Sequence, residues 1–301
     1  MSLDHYQALL NRCAEIGPLP TIVVHPCEAN ALRGALEATQ AGLITPILVG
    51  PRQKIAATAS EAGLDIDGLT VEDVPHSHAA AERGVALIRQ GRGELLMKGS
   101  LHSDELLHAV ADRENGLRTE RRLSHVFAMS VPSYHKPLFV TDAAVNIFPG
   151  LEDKADICRN VIQMLHALGI EQPKVALLSA VETVTAKLPS TLEAAALVVM
   201  SRRGQIDGAL LDGPLAFDNA INAEAARVKG IHSEVAGDPD ILLVPDMEAG
   251  NILAKQLIYL AGAEAAGIVL GARVPIVFTS RADSPRARIA SCGLAVLLAE
   301  A

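Results

Sequence analysis

The stretch VFTSRADSPRARIA, residues 277–290, places a cluster of polar side chains directly after an apolar run. A short strand read as PIVFT would deliver Ser280, Arg281 and Asp283 to its carboxyl end, and Ser284 followed by proline is typical of a helix N-cap. The N–H groups and the dipole of a helix start attract anions, as a guanidinium does. We therefore expect an anion-binding corner at this point of the chain.

Polar residues also follow three other predicted strands, where ligands of open α/β sheets bind. The turn after ELLMK resembles a phosphate cradle in its chemistry but lacks the GxxxxGK[ST] motif, and an ordinary N-cap at Ser103 or Asp104 would explain much of it. Short polar loops follow KVALLSA and DILLVPD, and for both of them substrate binding and helix capping stay open as alternatives. The candidate substrate-binding residues are Lys98, Gly99, Ser100, His102, Glu182, Lys187, Asp246, Gly250 and Asn251.

The cysteines give weaker candidates. Cys27 follows TIVVH at a predicted helix start and could be a nucleophile, but the sequence assigns it no partner. Cys158 recurs with Ile162 and Leu165 at helical spacing, which predicts a core position. The chain has no CxxC pair, so neither a zinc cluster nor a disulfide framework is indicated, and a reducing compartment fits best.

Several familiar signatures are missing from the chain. It has no GxGxxG, Walker loop, HExxH or GxSxG, and no DxxxD pair on a predicted helix that would hold a magnesium ion. A net charge of −9, 3% aromatic residues and no Trp argue against a nucleic-acid partner. No apolar run reaches the ~20 residues of a membrane span, and the N-terminus lacks a signal-peptide core. We expect a cytoplasmic protein with no bound cofactor or metal.

The elements that must position these residues alternate along the chain. Short apolar runs rich in β-branched residues alternate with helical patterns, which predicts an α/β fold: two α/β domains with mostly parallel sheets, in 301 residues. The segment SVPSYHKPLF at 130–139 interrupts two apolar runs, so we expect one domain at 1–136 plus 278–301 and another at 137–277. The predicted strands are 21–25, 45–50, 94–98, 125–131, 137–143, 174–180, 207–212, 240–246, 266–271 and 275–279. The clearest predicted helices are 78–91, 151–169, 188–204, 249–262 and 284–300.

Six segments, taken in order, resemble the phosphate acetyltransferase and phosphate butyryltransferase family over nearly the whole chain. They are LLMKGSLHSDELL (95–107), TDAAVNIFPGLEDKADI (141–157), LLSAVETVTAKLPSTLEA (177–194), DGPLAFDNAI (212–221), DILLVPDMEAGN (240–251) and VFTSRADS (277–284). The resemblance is nearest to the butyryl branch, or to the acyltransferase half of enoyl-CoA hydratase fusions. It implies an isocitrate and isopropylmalate dehydrogenase-like fold with a cleft between two domains, and a homodimer.

The same resemblance implies the reaction and the catalytic residues. The reaction is acyl-CoA plus phosphate giving acyl phosphate plus CoA, without a covalent enzyme intermediate, and CoA is a substrate. The family's catalytic Ser-Arg pair falls on Ser280 and Arg281. An acid of the acetyl branch is replaced by Ala287, which makes Asp283 the candidate base.

A second departure from the family is His108, which stands where an arginine is expected. Charge on phosphate or CoA would then be met by Arg118, Arg121 or Arg122. Two alternatives stay open: a dehydrogenase of the same fold, and a non-catalytic protein that binds CoA or phosphate.

Overall fold

The computed structural model describes residues 3–280 and 283–300, with side chains from Tyr6 onward. The chain forms two compact units. The first unit is Leu3–Leu123 with Ala266–Ala301, and the second unit is Ser124–Ala265. These bounds are offset from the predicted domains at both joints, because the strand at 124–130 pairs with the one at 138–141 and the strand at 276–277 pairs with the one at 95–98. That the units correspond to the two predicted domains stays a prediction.

The first unit is a mostly parallel sheet with helices. The strand order is β3-β2-β1-β4-β11-β10, and within this unit β10 and β11 form the antiparallel pair. The central strands are buried on both faces, which is why they appear in the sequence as continuous apolar runs. The strands are β1 (Leu19–Val24), β2 (Ile44–Gly50), β3 (Thr70–Asp73), β4 (Leu95–Lys98), β10 (Glu264–Leu270) and β11 (Ile276–Val277). The helices are α1 (Leu3–Ile16), α2 (Ala29–Gln40), α3 (Arg52–Ala62), α4 (Ser77–Arg89), α5 (Ser103–Ala111) and α11 (Pro285–Ala299).

The second unit repeats the pattern with a hairpin at one side. Its strand order is β5-β6-β9-β7-β8, in which β5 and β6 are antiparallel and the remaining pairs are parallel. The strands are β5 (Ser124–Ser130), β6 (Leu138–Thr141), β7 (Lys174–Leu178), β8 (Leu210–Leu215) and β9 (Ile241–Leu243). The helices are α6 (Leu151–Ala167), α7 (Pro189–Arg202), α8 (Phe217–Ile221), α9 (Ala223–Val228) and α10 (Met247–Tyr259).

The predicted α/β class with mostly parallel pairing is confirmed. All ten predicted strands have a counterpart, and the five clearest helices correspond to α4, α6, α7, α10 and α11. The prediction missed β3 and placed β8 three residues too early, at 207–212. Cys158 is fully buried in α6, as its spacing predicted. Within the described part of the chain, no helix is both long and apolar enough to cross a membrane.

Strand register brings the candidate residues of the first unit to one edge of its sheet. Val24 pairs with Lys98 across β1 and β4, and Met97 pairs with Val277 across β4 and β11. All three strands are parallel, so their carboxyl ends are neighbours. The loops that begin at His25, Gly99 and Phe278 therefore start side by side.

Candidate functional site

The loops after β1 and β4 are held together by hydrogen bonds. The N–H of Gly99 donates to Val24 O (2.9 Å), and the N–H of Ser100 donates to His25 O (2.9 Å). The Ser100 hydroxyl donates to the same carbonyl (2.8 Å) and accepts from the N–H of Cys27 (3.1 Å). Only glycine fits at 99, because a Cβ there would lie 2.3 Å from Val24 O and 2.6 Å from His25 O. We call these four hydrogen bonds the strand-end clamp.

The strand-end clamp changes the expectation for the KGS turn. The N–H groups of Gly99 and Ser100, which a phosphate cradle would use, donate instead to the carbonyls of Val24, at the end of β1, and of His25. The residue that caps α5 is His102, without a side-chain hydrogen bond, rather than Ser103 or Asp104. Asp104 lies in the first turn of α5, where an acid opposes anion binding. The main role of the KGS turn is therefore structural: it fixes the end of β4 and with it the position of Lys98.

His25 is a strand-end residue that the sequence did not single out. Its φ of 54° lies in the left-handed region, which residues other than glycine rarely adopt. Burial lowers the pKa of the His25 imidazole, and the positive charge of Lys54 lowers it further, while Glu105 and Glu28 act in the opposite direction. At neutral pH the ring is therefore neutral. In the sequence, the only indication that His25 belongs to the candidate site is its position directly after an apolar run.

Lys98, the last residue of β4, lies near the start of the loop after β11, which carries Ser280 and Asp283. Lys98 is buried, with its Nζ 5.8 Å from the centroid of the Phe278 ring. The N–H of Ser280 donates to Asp283 Oδ2 (2.7 Å), and the N–H of Asp283 donates to Ser280 O (3.2 Å), so the two residues close a tight turn. We call this the Ser280–Asp283 turn. Arg281 lies outside the described residues.

The carboxyl group of Asp283 is partly buried and lies among positive charges. Burial raises the pKa of Asp283, whereas the Ser280 N–H and the charges of Arg288 and Lys98 act to lower it, and the net shift is upward. A carboxyl group whose pKa has moved towards neutrality is suited to exchange protons with a substrate. That Asp283 is the catalytic base stays a prediction.

The helix start that was predicted after this turn is confirmed. Ser284 is the N-cap of α11, and its hydroxyl accepts the N–H of Ala287 at 3.1 Å. Pro285 is the first residue of the helix. The serine N-cap and the proline at the first helical position are therefore both predicted correctly from the sequence.

His108 and the arginines considered with it lie at the surface. His108 is exposed on α5, where it lines a cavity of ≈ 620 Å³ together with Arg89 and the acids Glu82, Glu105 and Asp112. The charge around it is therefore mixed rather than basic. The three alternative arginines are all exposed: Arg118, Arg121 and Arg122.

In the second unit, Asp246, Gly250 and Asn251 attach α10 to the loop after β6. Asp246 caps α10 by accepting the N–H of Ala249 at 2.8 Å. The Asn251 amide donates to Ala143 O at 3.1 Å, and a Cβ at Gly250 would lie 2.9 Å from Asp142 O. Each of the three residues thus has a structural role in the described fold.

Asp142 is the centre of that loop and was not among the predicted site residues. It is 2% exposed and accepts the backbone N–H groups of Ala144, Val145 and Asn146, as well as the Asn146 side-chain amide. Burial raises the pKa of Asp142, while these hydrogen bonds lower it. Its role is to close the loop, since both of its oxygens bind donors within it.

Glu182 and Lys187, the remaining candidates, lie in the segment between β7 and α7. Glu182 accepts from Asn219 (3.1 Å) and from Lys229 (3.2 Å), and its pKa is lowered by a hydrogen bond to its own backbone and by Lys229. Lys187 is exposed, and its N–H donates to Thr185. The first unit thus brings Lys98, Ser280 and Asp283 together, whereas the candidates of the second unit have their own local partners.

Metal binding has no support in the described residues, among which no three His, Cys, Asp or Glu side chains are grouped so as to hold an ion. The chemistry of the site is that of an ammonium, a hydroxyl and a carboxyl group at the carboxyl ends of parallel strands. In open α/β sheets, ligands bind outside the carboxyl ends of the strands, which is where these groups lie.

Comparison with known proteins identifies the family of the chain. Residues 77–296 match the family described as phosphate acetyl/butaryl transferase. The chain is 62% identical over 294 residues to a phosphate acetyltransferase of Rhizobium meliloti, covering 98% of this chain and 93% of that protein. It is 41% identical over 268 residues to a phosphate butyryltransferase of Clostridium acetobutylicum, covering 89% of each chain.

A solved structure agrees with the sequence relatives. The branched-chain phosphotransacylase from Enterococcus faecalis V583 superposes with a TM-score of 0.80 at 27% identity, covering 93% of this chain and 99% of that one. The chain therefore belongs to the phosphate acetyl/butyryltransferase family and is a transferase, as its six motifs predicted. The motifs predict a protein nearer to the butyryl branch, whereas of these two sequence relatives the acetyltransferase is the more similar.

Proposed function

We propose that the protein catalyses the reversible transfer of a short-chain acyl group between CoA and inorganic phosphate, by direct attack in a ternary complex. The family membership supports the reaction. The location that we propose for the active site rests on one observation: Lys98, Ser280 and Asp283 lie at the adjacent carboxyl ends of β4 and β11. An isocitrate and isopropylmalate dehydrogenase-like fold is part of the same proposal.

Positioning of the two substrates is the first task of this site. Holding phosphate against the thioester carbonyl replaces a bimolecular encounter and contributes on the order of 7 kcal/mol or more. Lys98 and Arg281 would bind the phosphate oxygens, the former as a point charge and the latter bidentately. Lys98 suits this role because the strand-end clamp fixes the backbone that carries it.

Stabilisation of the oxyanion is assigned to Ser280. As phosphate oxygen attacks the carbonyl, negative charge develops on the carbonyl oxygen, and the Ser280 hydroxyl would donate to it. The Ser280 N–H already donates to Asp283, so the hydroxyl is the group that we assign to this role. One well-placed donor of this kind contributes roughly 3–4 kcal/mol.

Proton transfer is assigned to Asp283. In the direction of acyl-CoA synthesis, CoA sulfur attacks the acyl phosphate carbonyl, the thiol proton passes to Asp283 Oδ1, and phosphate leaves. In the reverse direction the same oxygen returns the proton to the departing thiolate. Asp283 Oδ2 accepts the hydrogen bond from the Ser280 N–H in both directions of the reaction, so the Ser280–Asp283 turn stays closed. Asp283 thereby takes the place of the acid that is replaced by Ala287.

The remaining predicted site residues complete the proposal. His102 and Gly99–Ser100 would border the phosphate through the fixed β4 turn. A substrate-binding role is also proposed for five residues of the second unit: Glu182, Lys187, Asp246, Gly250 and Asn251. The protein would use CoA as a substrate, hold no cofactor, and act in the cytoplasm without nucleic-acid or membrane partners.

A homodimer is also part of the proposal, supported by the distribution of apolar surface. Among the described residues, the large hydrophobic side chains that are markedly exposed all belong to the second unit, which suits a subunit interface. They are Ile147, Phe148, Val184, Leu192, Val199, Phe217, Val228, Ile252, Tyr259 and Leu260. Sedimentation analysis should give twice the chain mass, and a monomer at assay concentrations would count against the dimer.

The assigned roles are tested by a pair of serine variants. Ser280→Ala should lower kcat for phosphate-dependent CoA release by about 100-fold. Ser284→Ala is the matched control, because it removes a hydroxyl from the same segment, the one that caps α11. The loss of the cap should cost about 1 kcal/mol of stability. Turnover should stay within a few-fold of wild type. Equal turnover in the Ser280→Ala variant and the wild type would refute the assignment.

A further inference from the structure

The backbone of His25 is held by four hydrogen bonds, whereas its side chain makes one long polar contact. The His25 N–H donates to Val49 O (2.7 Å). The His25 carbonyl accepts the N–H groups of Cys27 and Ser100 (both 2.9 Å) and the Ser100 hydroxyl (2.8 Å). These bonds hold the φ of 54°, which glycine would adopt at no steric cost. The fold therefore requires this backbone conformation but not an imidazole, and a residue kept in such a conformation is a candidate for function.

The polar contact of the His25 ring determines which nitrogen carries the proton. Nδ1 lies 3.4 Å from Ser100 Oγ, whose own proton is donated to His25 O. The contact is therefore made by Nδ1–H, and the neutral ring has its lone pair on Nε2. In the part of the chain that the structure describes, no group is hydrogen-bonded to Nε2. The ring is only half-buried, so Nε2 can accept a proton from a bound substrate.

The charged groups around His25 leave its ring neutral near pH 7. Those that face it from neighbouring elements are Lys54 on α3, Glu105 on α5 and Glu28, the N-cap of α2. Burial and the charge of Lys54 keep the pKa of the imidazole below its ordinary value, in spite of the two acids. A neutral imidazole can act as a general base.

The strand order places Lys98 between His25 and Asp283. β2 and β3 lie on one side of β1, and β4 and β11 lie on the other, so the order reverses between β1 and β4. Ligands of open α/β sheets bind at such a point, outside the carboxyl ends of the strands. Adjacent strands lie about 4.8 Å apart, so the ends of β1 and β11 are about 10 Å apart. A phosphate bound by Lys98 therefore has the strand of His25 on one side and the loop of Asp283 on the other.

The proposed reaction moves a proton from phosphate to sulfur. Monohydrogen phosphate and acyl-CoA give the dianion of acyl phosphate and the thiol of CoA, so phosphate loses its proton and sulfur gains one. The sulfur end is assigned to Asp283, which must hold a proton in order to give it. A protonated carboxyl group cannot also accept the proton of phosphate. The phosphate end therefore requires a second group with a free lone pair.

We propose that His25 is the catalytic residue at the phosphate end: its Nε2 takes the proton of monohydrogen phosphate while a phosphate oxygen attacks the thioester carbonyl. The oxygen–carbon bond forms, the carbon–sulfur bond breaks, and Asp283 gives its proton to the sulfur. In the direction of acyl-CoA synthesis the imidazolium returns the proton to the leaving phosphate, and Asp283 takes that of the thiol. Exchange of protons with solvent resets both groups. The inference rests on the proposed phosphate acyltransferase function.

The first test compares His25→Asn with wild type in phosphate-dependent CoA release. Asparagine tolerates a positive φ but has no basic nitrogen, so the variant should fold and be catalytically impaired. We expect kcat to fall by about 100-fold. The acid limb of the pH profile of kcat, which protonation of His25 imposes on the wild type, should be absent from the variant. The ionisation of phosphate itself affects both proteins alike.

The matched control is His76→Asn. His76 is exposed, and its Nδ1 caps α4 by accepting the N–H of Ala79 at 3.2 Å. Asparagine is a good N-cap, so this variant changes a histidine to asparagine without loss of the cap. Its kcat and its acid limb should match those of the wild type.

His25→Gly permits a test by chemical rescue. Glycine suits the φ of 54° and leaves the space of the ring empty. Added imidazole should therefore restore CoA release in proportion to its concentration, and it should have no such effect on the wild type or on His76→Gly. A purely structural role of His25 would not give this rescue. If His25→Gly does not fold, kcat and the acid limb of His25→Asn decide.

Three results would overturn the proposal: a kcat of His25→Asn within a few-fold of wild type, an acid limb that His25→Asn retains, or a folded His25→Gly that imidazole does not reactivate. Failure of the proposed function is seen separately, as absent CoA release in the wild type. In that case ¹⁵N NMR of labelled histidines tests the contact with inorganic phosphate alone. The Nε2 signal that is missing from His25→Asn should shift as phosphate is added to the wild type, and an unshifted signal overturns the contact.

Discussion

Replacing Gly99 by alanine should break the strand-end clamp. The new Cβ would lie 2.3 Å from Val24 O and 2.6 Å from His25 O, and both of these are backbone atoms that cannot turn aside. Relief requires β1 and β4 to part by about 1 Å at their carboxyl ends. This breaks the hydrogen bond from Gly99 N–H to Val24 O and the two that the N–H and hydroxyl of Ser100 donate to His25 O. At about 1 kcal/mol net for each, the free energy of unfolding should fall by about 3 kcal/mol.

Urea unfolding of wild type and Gly99→Ala measures this loss, and CoA release by the folded variant measures the displacement of Lys98. The matched control is Gly150→Ala, because a Cβ at 150 would meet one atom at 4.0 Å and nothing nearer. We expect the control to change stability by less than about 1 kcal/mol. A Gly99→Ala protein that is as stable as the control and fully active would refute the account of how the end of β4 is held.

Three further predictions concern ionisable groups. Asp283→Asn should lower kcat by about 100-fold near neutral pH, because an amide cannot accept the thiol proton, and steady-state CoA release measures this; unchanged kcat would remove Asp283 as the base. Burial raises the pKa of Cys27 to about 11, so the thiol should react with iodoacetamide much faster after unfolding than before, and Cys27→Ala should keep most turnover; rapid labelling of the native thiol would contradict this. Burial raises the pKa of Asp238, but hydrogen bonds from Lys174 and Lys136 outweigh it and bring the pKa to about 2. The stabilisation is present above the unfolded pKa near 4 and is lost as pH falls towards 2, so Asp238→Asn should destabilise the protein at about pH 6 and much less at about pH 2.5 in urea unfolding. Equal destabilisation at both pH values would contradict the ion pairs.

Most of the fold could be predicted because parallel strands that are buried on both faces consist of continuous apolar runs, which are visible in the sequence. β3 escaped because it is a four-residue edge strand, TVED, with one neighbour and no buried residue. β8 continues through Gly213 and Pro214, beyond the apolar run that predicts it, and an edge strand tolerates proline because no further strand needs its N–H. In both cases the missing information was the place of the strand in the sheet.

The candidate site could be predicted only in its local features. The N-cap at Ser284 and the polar turn before it are properties of neighbouring residues, and the sequence contains them. The strand-end clamp joins residues 75 apart in the chain, so the spacing of residues in the sequence does not reveal it. Asp142 was missed for the same reason, since its burial depends on how the loop after β6 packs.

The most direct test of the central claim is the release of free CoA from acetyl-, propionyl- and butyryl-CoA by the purified protein, with and without inorganic phosphate. The account predicts release that depends on phosphate, with acyl phosphate formed in equal amount, and the ranking of the three substrates would identify the preferred chain. A folded protein that binds CoA but releases none from any of the three, with or without phosphate, would contradict the account and favour a non-catalytic binding protein.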